Sequence, residues 1–506
     1  SHIDNWMMQE ELPMLYNQYK ITIPHVFVYN IELRGKDYIQ VKQRQSSIHA
    51  TEREGSGVTG VNKDFTVSAQ ETTFISRNLP AIRQDESYCW CPEDYKVQVS
   101  FDLQGTQFTP NEYKPYSQKW EDVDHQLLKP ENTQFGKYLS LTNPFRTETK
   151  QAYNSEMNFE EKIICAFQVL KKKMAWNGRY QLYSKELEKV IKKGSGSNAD
   201  LNFILISILK DFGLEAYPVA MSRRSSGILP YNFPSLQKLN TFIVAVYDIT
   251  QQKYLFLDSS MDVPALNILP LDLSVNKARI LSPKEKEEKK WVNVMALSDN
   301  KSFMKIDARI EGNQVKGHRS TVLYGQEAIE YQANEKHKQD SIVSNPESNG
   351  GQKEKLTVTN LKVKKQENNY ALIEEEFDFV LQADRTNDHL YINPMLFPQL
   401  KNNPFIQTER ALPIELPYPY KFTMLSTLTL PEGYEVEELP QSQTIKTEGD
   451  GLQCKYMIQR QGNTITLNYI FYLKGYLFFT EQYKQLQELW TKVIEKNNAL
   501  IVLKKL

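Results

Sequence analysis

Cysteine and histidine are the side chains that would equip this chain for nucleophilic chemistry, and their positions limit it. A thiolate attacks after losing its proton, and a neighbouring imidazole is the usual acceptor. The seven histidines are His2, His25, His49, His125, His318, His337 and His389, so none lies between residues 126 and 317. Cys165 is the only cysteine of that stretch, and it lies in Phe159-Glu160-Glu161-Lys162-Ile163-Ile164-Cys165-Ala166-Phe167-Gln168-Val169-Leu170. Apolar residues recur there at helical spacing, which reads as a small core residue. A Cys and His dyad within the central segment is therefore excluded. Ser195 and Ser197 stand just before a long apolar run and have no base in the same segment. They read as helix caps, because a short side-chain oxygen accepts from the free N–H groups of the first turn. Cys89-Trp90-Cys91 offers two ligands at a spacing far short of a zinc signature. On an extended strand both sulfurs would face one way, and structural or free thiols are the expectation.

The elements that would position such groups are clearest in Gly196-Ser197-Asn198-Ala199-Asp200, which runs into Leu201-Asn202-Phe203-Ile204-Leu205-Ile206-Ser207-Ile208-Leu209-Lys210-Asp211-Phe212-Gly213. The run predicts a helix over 199–212, apolar on nearly all sides and hence buried, stopped by Gly213 before an extended Tyr217–Met221. This segment resembles the core of the transglutaminase-like superfamily, where a helix N-terminus presents the nucleophilic cysteine. Asn198 stands at that position. The strand Leu239-Asn240-Thr241-Phe242-Ile243-Val244 resembles the one that carries the family's histidine, and its place is taken by Thr241. Tyr254-Leu255-Phe256-Leu257-Asp258-Ser259-Ser260 resembles the strand ending in the family's aspartate, and Asp258 keeps it.

The resemblance implies a multidomain α+β chain: a central transglutaminase-like (papain-like) α+β core flanked by antiparallel β-sandwich domains. It also implies no catalytic residues. A carboxamide is a very poor nucleophile and a threonine hydroxyl is no base near neutral pH, so Asp258 has nothing to orient. A cleft lined by Trp176, Asn198, Thr241 and Asp258 would be kept for binding a peptide, protein or glycan, with Trp176 alternatively plugging the core. Arg223-Arg224-Ser225-Ser226-Gly227 would be a rim for acidic ligands or a solvated loop. Two alternatives stay open. One is an active cysteine peptidase or acyl transferase that takes His318 or His389 from another domain. The other is carbohydrate binding through the β domains. No cofactor and no metal are called for.

At 506 residues the chain exceeds one ordinary core, and three domains are expected. The first, 1–140, alternates apolar and polar residues in Tyr19–Pro24, Val26–Leu33 and Lys96–Phe101, as a half-buried antiparallel sheet requires. Trp6 to Pro13 and Leu79 to Tyr88 resemble the β-sandwich domain of unknown function that precedes bacterial transglutaminase-like cores. The abrupt opening at Ser1-His2-Ile3-Asp4-Asn5-Trp6 reads as mid-domain, so a trimmed piece with missing opening strands is expected. The second domain is 141–280. The third, 281–506, predicts strands at Trp291–Leu297, Leu356–Val363, Tyr370–Val380, Lys421–Leu430, Lys455–Arg460 and Asn463–Leu473. It adds a helix from Tyr483 and a mobile loop at 332–355. A formal net charge of -1 gives no sign of a nucleic-acid partner. No apolar run approaches membrane-spanning length, so no integral membrane segment is expected. Related bacterial proteins resemble exported envelope proteins, which points to the periplasm or cell surface.

Overall fold

The computed structural model describes residues 3–54, 61–82, 87–108, 112–116, 119–129, 131, 133–231, 234–340, 356–366 and 368–506. They form a multidomain chain rich in antiparallel sheet, organised as two compact units. One is Ser1–Lys137 with Ser222–Asn240, the other Tyr138–Met221 with Thr241–Leu506.

The first unit is built on a long antiparallel hairpin, Gln40–Glu54 with Val61–Leu79, whose second strand also pairs with Met14–Pro24. A second sheet joins Trp6–Met7, Gln98–Gln107 and Phe27–Arg34, with Tyr113–Pro115 on the Gln98–Gln107 strand. Both sheets point side chains into one core, where Met8, Phe74, Val99 and Phe101 are buried together. That is what alternation along each strand dictates, since successive residues face opposite sides. Cys89-Trp90-Cys91 is not on a strand; it leads into a single 3-10 turn, Pro92–Tyr95, and the two half-buried cysteines form no disulfide.

Residues 222–240 belong to this unit rather than to the central domain in which sequence placed them. Asp94 Oδ2 accepts from the Ile228 amide at 2.7 Å, and Trp120 Nε1 donates to the Tyr231 carbonyl at 2.8 Å. Arg224, expected on a ligand rim or in a solvated loop, is buried with its guanidinium 4.2 Å from the Trp90 ring centroid. Stacking a weakly hydrated guanidinium on indole offsets its removal from water.

In the second unit a short helix, Arg146–Ala152, precedes the helix Phe159–Lys173, which is opened by a capping box between Asn158 and Glu161. A short helix, Leu187–Lys193, ends on Gly194, and the central helix Asn198–Asp211 follows. Ser197 caps it reciprocally with Asp200, and every residue from Asn198 to Leu209 is buried. Gly213, at φ 75°, takes the left-handed conformation that lets its amide reach the Lys210 carbonyl and close the helix. The helix packs on a five-stranded antiparallel sheet ordered Lys253–Leu257, Thr241–Asp248, Glu215–Met221, Ala278–Ile280 and Trp291–Val292. The strand expected over Trp291–Leu297 thus stops at Val292.

An eight-stranded sheet fills much of the remaining chain. Its centre is the hairpin Lys301–Glu311 with Gln314–Tyr324, and Lys301–Glu311 also pairs in parallel with Tyr420–Thr429. Asn369–Gln382 and Thr357–Gln366 extend one side; Thr464–Leu473, Leu452–Gln461 and Gln443–Lys446 extend the other. A smaller sheet, ordered Asp384–Thr386, His389–Ile392, Ile501–Lys505 and Tyr434–Glu438, and the helix Tyr483–Asn497 close over it. Ile306, Leu390, Met424, Leu467, Trp490 and Leu503 share the resulting core. Of the loop expected at 332–355, residues 332–340 belong to the helix Gln326–Asp340 instead, and 341–355 lie outside the described residues.

Candidate functional site

Asn198, Thr241 and Asp258 come from three elements, and the fold brings them together. Asn198 is the first residue of the central helix, Thr241 opens its strand opposite Met221, and Asp258 follows the strand Lys253–Leu257. Asn198 Nδ2 donates to Thr241 Oγ1 at 2.8 Å, to the Phe242 carbonyl at 3.1 Å and toward Asp258 Oδ2 at 3.5 Å. Its Oδ1 accepts from the Gln181 amide at 2.9 Å. The carboxamide therefore uses both its donor and its acceptor on protein groups.

Four further residues, Asn202, Ser259, Ser260 and Tyr180, complete the cluster without having been singled out as site residues from sequence. Asn202 Nδ2 donates to Asp258 Oδ2 and to the Phe242 carbonyl, each at 2.8 Å, while its Oδ1 accepts from the Ser259 amide at 3.0 Å and from the Ser259 hydroxyl. Ser260 gives Asp258 Oδ1 its amide at 2.9 Å and its hydroxyl, and the Tyr180 hydroxyl lies 3.2 Å from Ser260 Oγ. A signal for Asn202 did exist. It is the second asparagine, one turn after Asn198, on a helix otherwise apolar all round, and a polar group in such a place must find a partner.

Asn198 and Thr241 are completely buried and Asp258 is 1 % exposed. This corrects the expectation of a cleft lined by them: no ligand reaches atoms sealed beneath a helix and a sheet. Trp176, the fourth expected lining residue, is half-buried, with its indole N–H on the Arg179 carbonyl at 3.1 Å and its ring 5.1 Å from that of Tyr180. Burial pushes the Asp258 carboxyl above its ordinary range, against hydrogen bonds from Ser260, Asn202 and Asn198 that pull it down. All of its hydrogen-bond partners are uncharged.

The other nucleophile candidates are occupied elsewhere. Ser197 Oγ donates to Asp200 Oδ2 at 2.7 Å as part of the cap. Cys165 is half-buried, its sulfur 3.5 Å from the Ala152 carbonyl, and burial raises its pKa, which disfavours a thiolate. His318 Nδ1 lies 2.8 Å from Asp378 Oδ1, and His389 Nε2 lies 2.9 Å from Glu437 Oε2. The cluster around Asn198 thus contains neither a thiol nor an imidazole. What it can do chemically is bind a helix N-terminus to two strand ends through saturated hydrogen bonds.

With this geometry in view, the chain can be compared with known proteins. A family model described as a domain of unknown function with solved structure (DUF3858) matches residues 388–503. A crystal structure of a "putative protease" from Parabacteroides distasonis matches with TM-score 0.50 and 13 % identity over 99 % of this chain and 74 % of that one. The likeness is one of fold. A "putative cysteine protease" from Cytophaga hutchinsonii covers 49 % of this chain and 80 % of its own, at TM-score 0.19 and 8 % identity. No curated protein matches the chain.

Proposed function

We propose that this chain is a non-catalytic, transglutaminase-like protein that acts as a binding or scaffold module for peptide, protein or glycan in the bacterial envelope. One observation carries the reading: the side chain at the nucleophile position is a carboxamide whose hydrogens and oxygen are all committed to buried protein partners. An amide so engaged has no lone pair to offer an acyl carbon, and Thr241 and Asp258 are engaged with it. The fold likeness to a protein named as a protease supports descent from a thiol-dependent scaffold whose core outlasts its chemistry. Binding then falls to exposed surface rather than to the sealed cluster.

The Parabacteroides protein is named a protease, which leaves open a second reading for this chain, an active cysteine peptidase or acyl transferase with a base supplied from elsewhere in the chain. The raised pKa of Cys165, which disfavours a thiolate, weighs against it. The two readings separate on the purified full chain. The first expects no turnover of a fluorogenic peptide library, no effect of iodoacetamide, and saturable retention on a peptide or glycan array. Peptide cleavage lost on alkylation and in Cys165→Ser overturns it in favour of the second.

A further inference from the structure

Away from the Asn198 cluster, the C-terminal half encloses a cavity of about 190 Å³ with no part in the proposal above. Phe422, Tyr469, Trp490 and Asn497 are among its buried lining residues, while Gln399 and Tyr418 are more exposed and form its mouth. Three polar atoms of the buried lining have no hydrogen-bond partner among the described residues: Trp490 Nε1, Asn497 Oδ1 and the Tyr469 hydroxyl. The first two side chains are more than nine-tenths buried, Trp490 at 6 % exposure and Asn497 at 1 %. The Asn497 amide is not free to turn, because its Nδ2 donates to the Leu400 carbonyl at 3.1 Å. A buried donor and a buried acceptor left unmet each carry the cost of desolvation, which a bound group would recover. An indole N–H donates only and an amide oxygen accepts only. A hydroxyl answers both at once, accepting from the first and donating to the second.

The same cavity is lined by Glu327. Tyr418 hydroxyl donates to Glu327 Oε1 at 2.9 Å and to Glu330 Oε1 at 3.1 Å, so two carboxyl groups meet at one phenol. Burial raises both carboxyls, so a cation placed beside them would favour their charged forms. Much of the remaining lining is aromatic or aliphatic, with Met395, Leu400, Phe422, Phe471 and Leu473 among it. A cavity of about 150 Å³ accommodates benzene, so this one suits a single ring with a short chain.

We propose that the cavity binds a small primary amine with an apolar body and a hydroxyl at the far end. The hydroxyl bridges Trp490 Nε1 and Asn497 Oδ1, and the ammonium sits at Glu327. The site is independent of whether the Asn198 cluster is catalytic. The test titrates the ¹⁵N-labelled full chain with tyramine, and in parallel with phenethylamine, which lacks the hydroxyl, and 4-hydroxyphenylacetate, which lacks the ammonium. The Trp490 indole signal, assigned with Trp490→Phe, shifts saturably with tyramine. Affinity falls about tenfold or more for each comparator and in Glu327→Gln, one lost polar contact apiece. Calorimetry gives the same ranking without assignment should Trp490→Phe not fold. No saturable signal with any of the three, as for a cavity holding water only, overturns the proposal, and so does equal binding of all three.

Discussion

Asn198 holds more of the core together than its size suggests, because one amide answers groups from a loop, a strand and a strand end. Replacing it with alanine leaves the Gln181 amide without its acceptor and the buried Thr241 hydroxyl without its donor, while the Phe242 carbonyl keeps Asn202. Asn198→Ala should therefore cost about 2–4 kcal/mol, read as a lower urea midpoint at unchanged slope. Asp258 adds a pH dependence whose sign follows from its environment. Its folded pKa lies above the unfolded one, so the stability it contributes is complete below the ordinary carboxylate range, at about pH 4, and is lost as pH rises through the raised value. The stability of Asp258→Asn relative to the native chain should thus climb from pH 4 upward, on a constant offset for altered hydrogen bonds. A flat difference would mean that the carboxyl is not shifted. The convergence of Asn198, Thr241 and Asp258 was legible in the order of three short motifs. Their burial was legible too, in a helix apolar on every side, yet the expected cleft overlooked it. Asn202 was hidden because a lone asparagine in an apolar run looks like a tolerated exception until its partners are in space.

Elements show the same mixture of local rules and distant contacts. Gly196 precedes the Ser197 cap, and a Cβ there would lie 2.5 Å from Val190 Cγ1 and 2.9 Å from Asp200 Cβ. Gly196→Ala should weaken the second unit by about 1–3 kcal/mol, as overpacking does, whereas Asn158→Ala, removing an exposed cap, should cost about 1 kcal/mol. Urea unfolding of both variants checks the ranking, and a Gly196→Ala cost no larger than that of Asn158→Ala would refute the close approach. Helix limits were readable within a residue or two because Ser197, Gly213 and the apolar period mark them. The central hairpin of the large sheet was missed although Ser302, Met304, Ile306, Ala308 and Ile310 alternate inward. Phe303, 40 % exposed on the outer face, blurs that alternation. The reach of the helix Gln326–Asp340 into the expected loop was equally hidden. Its polar sequence resembles a linker, and contacts such as Gln332 Nε2 on the Tyr370 carbonyl at 2.8 Å come from residues far along the chain.

At the scale of the whole molecule, the path of the chain is the least legible feature. Met221 and Thr241 face each other across paired strands of the central sheet, yet everything between them belongs to the first unit. Replacing 222–240 with an Asn-Gly turn should leave that hairpin closed, since such a turn suits the strand twist. It removes the bonds to Asp94 and Trp120 and the guanidinium on Trp90. Hydrogen exchange should then quicken in Val61–Leu79 and Gln98–Gln107 and stay unchanged in Asn198–Asp211; quickening in the helix would show that the excursion supports its own flanks. The Ser, Pro, Asn and Gly of residues 222–240 mark a loop but not the unit it joins, which is why sequence kept them with their neighbours. The excursion also orders events during synthesis. Residues 1–137 leave the ribosome before 222–240 do, so they wait, with Trp90 uncovered, until about a hundred more residues have been added. Sheets made early are thus completed late, and in that interval they are most in need of a chaperone's cover.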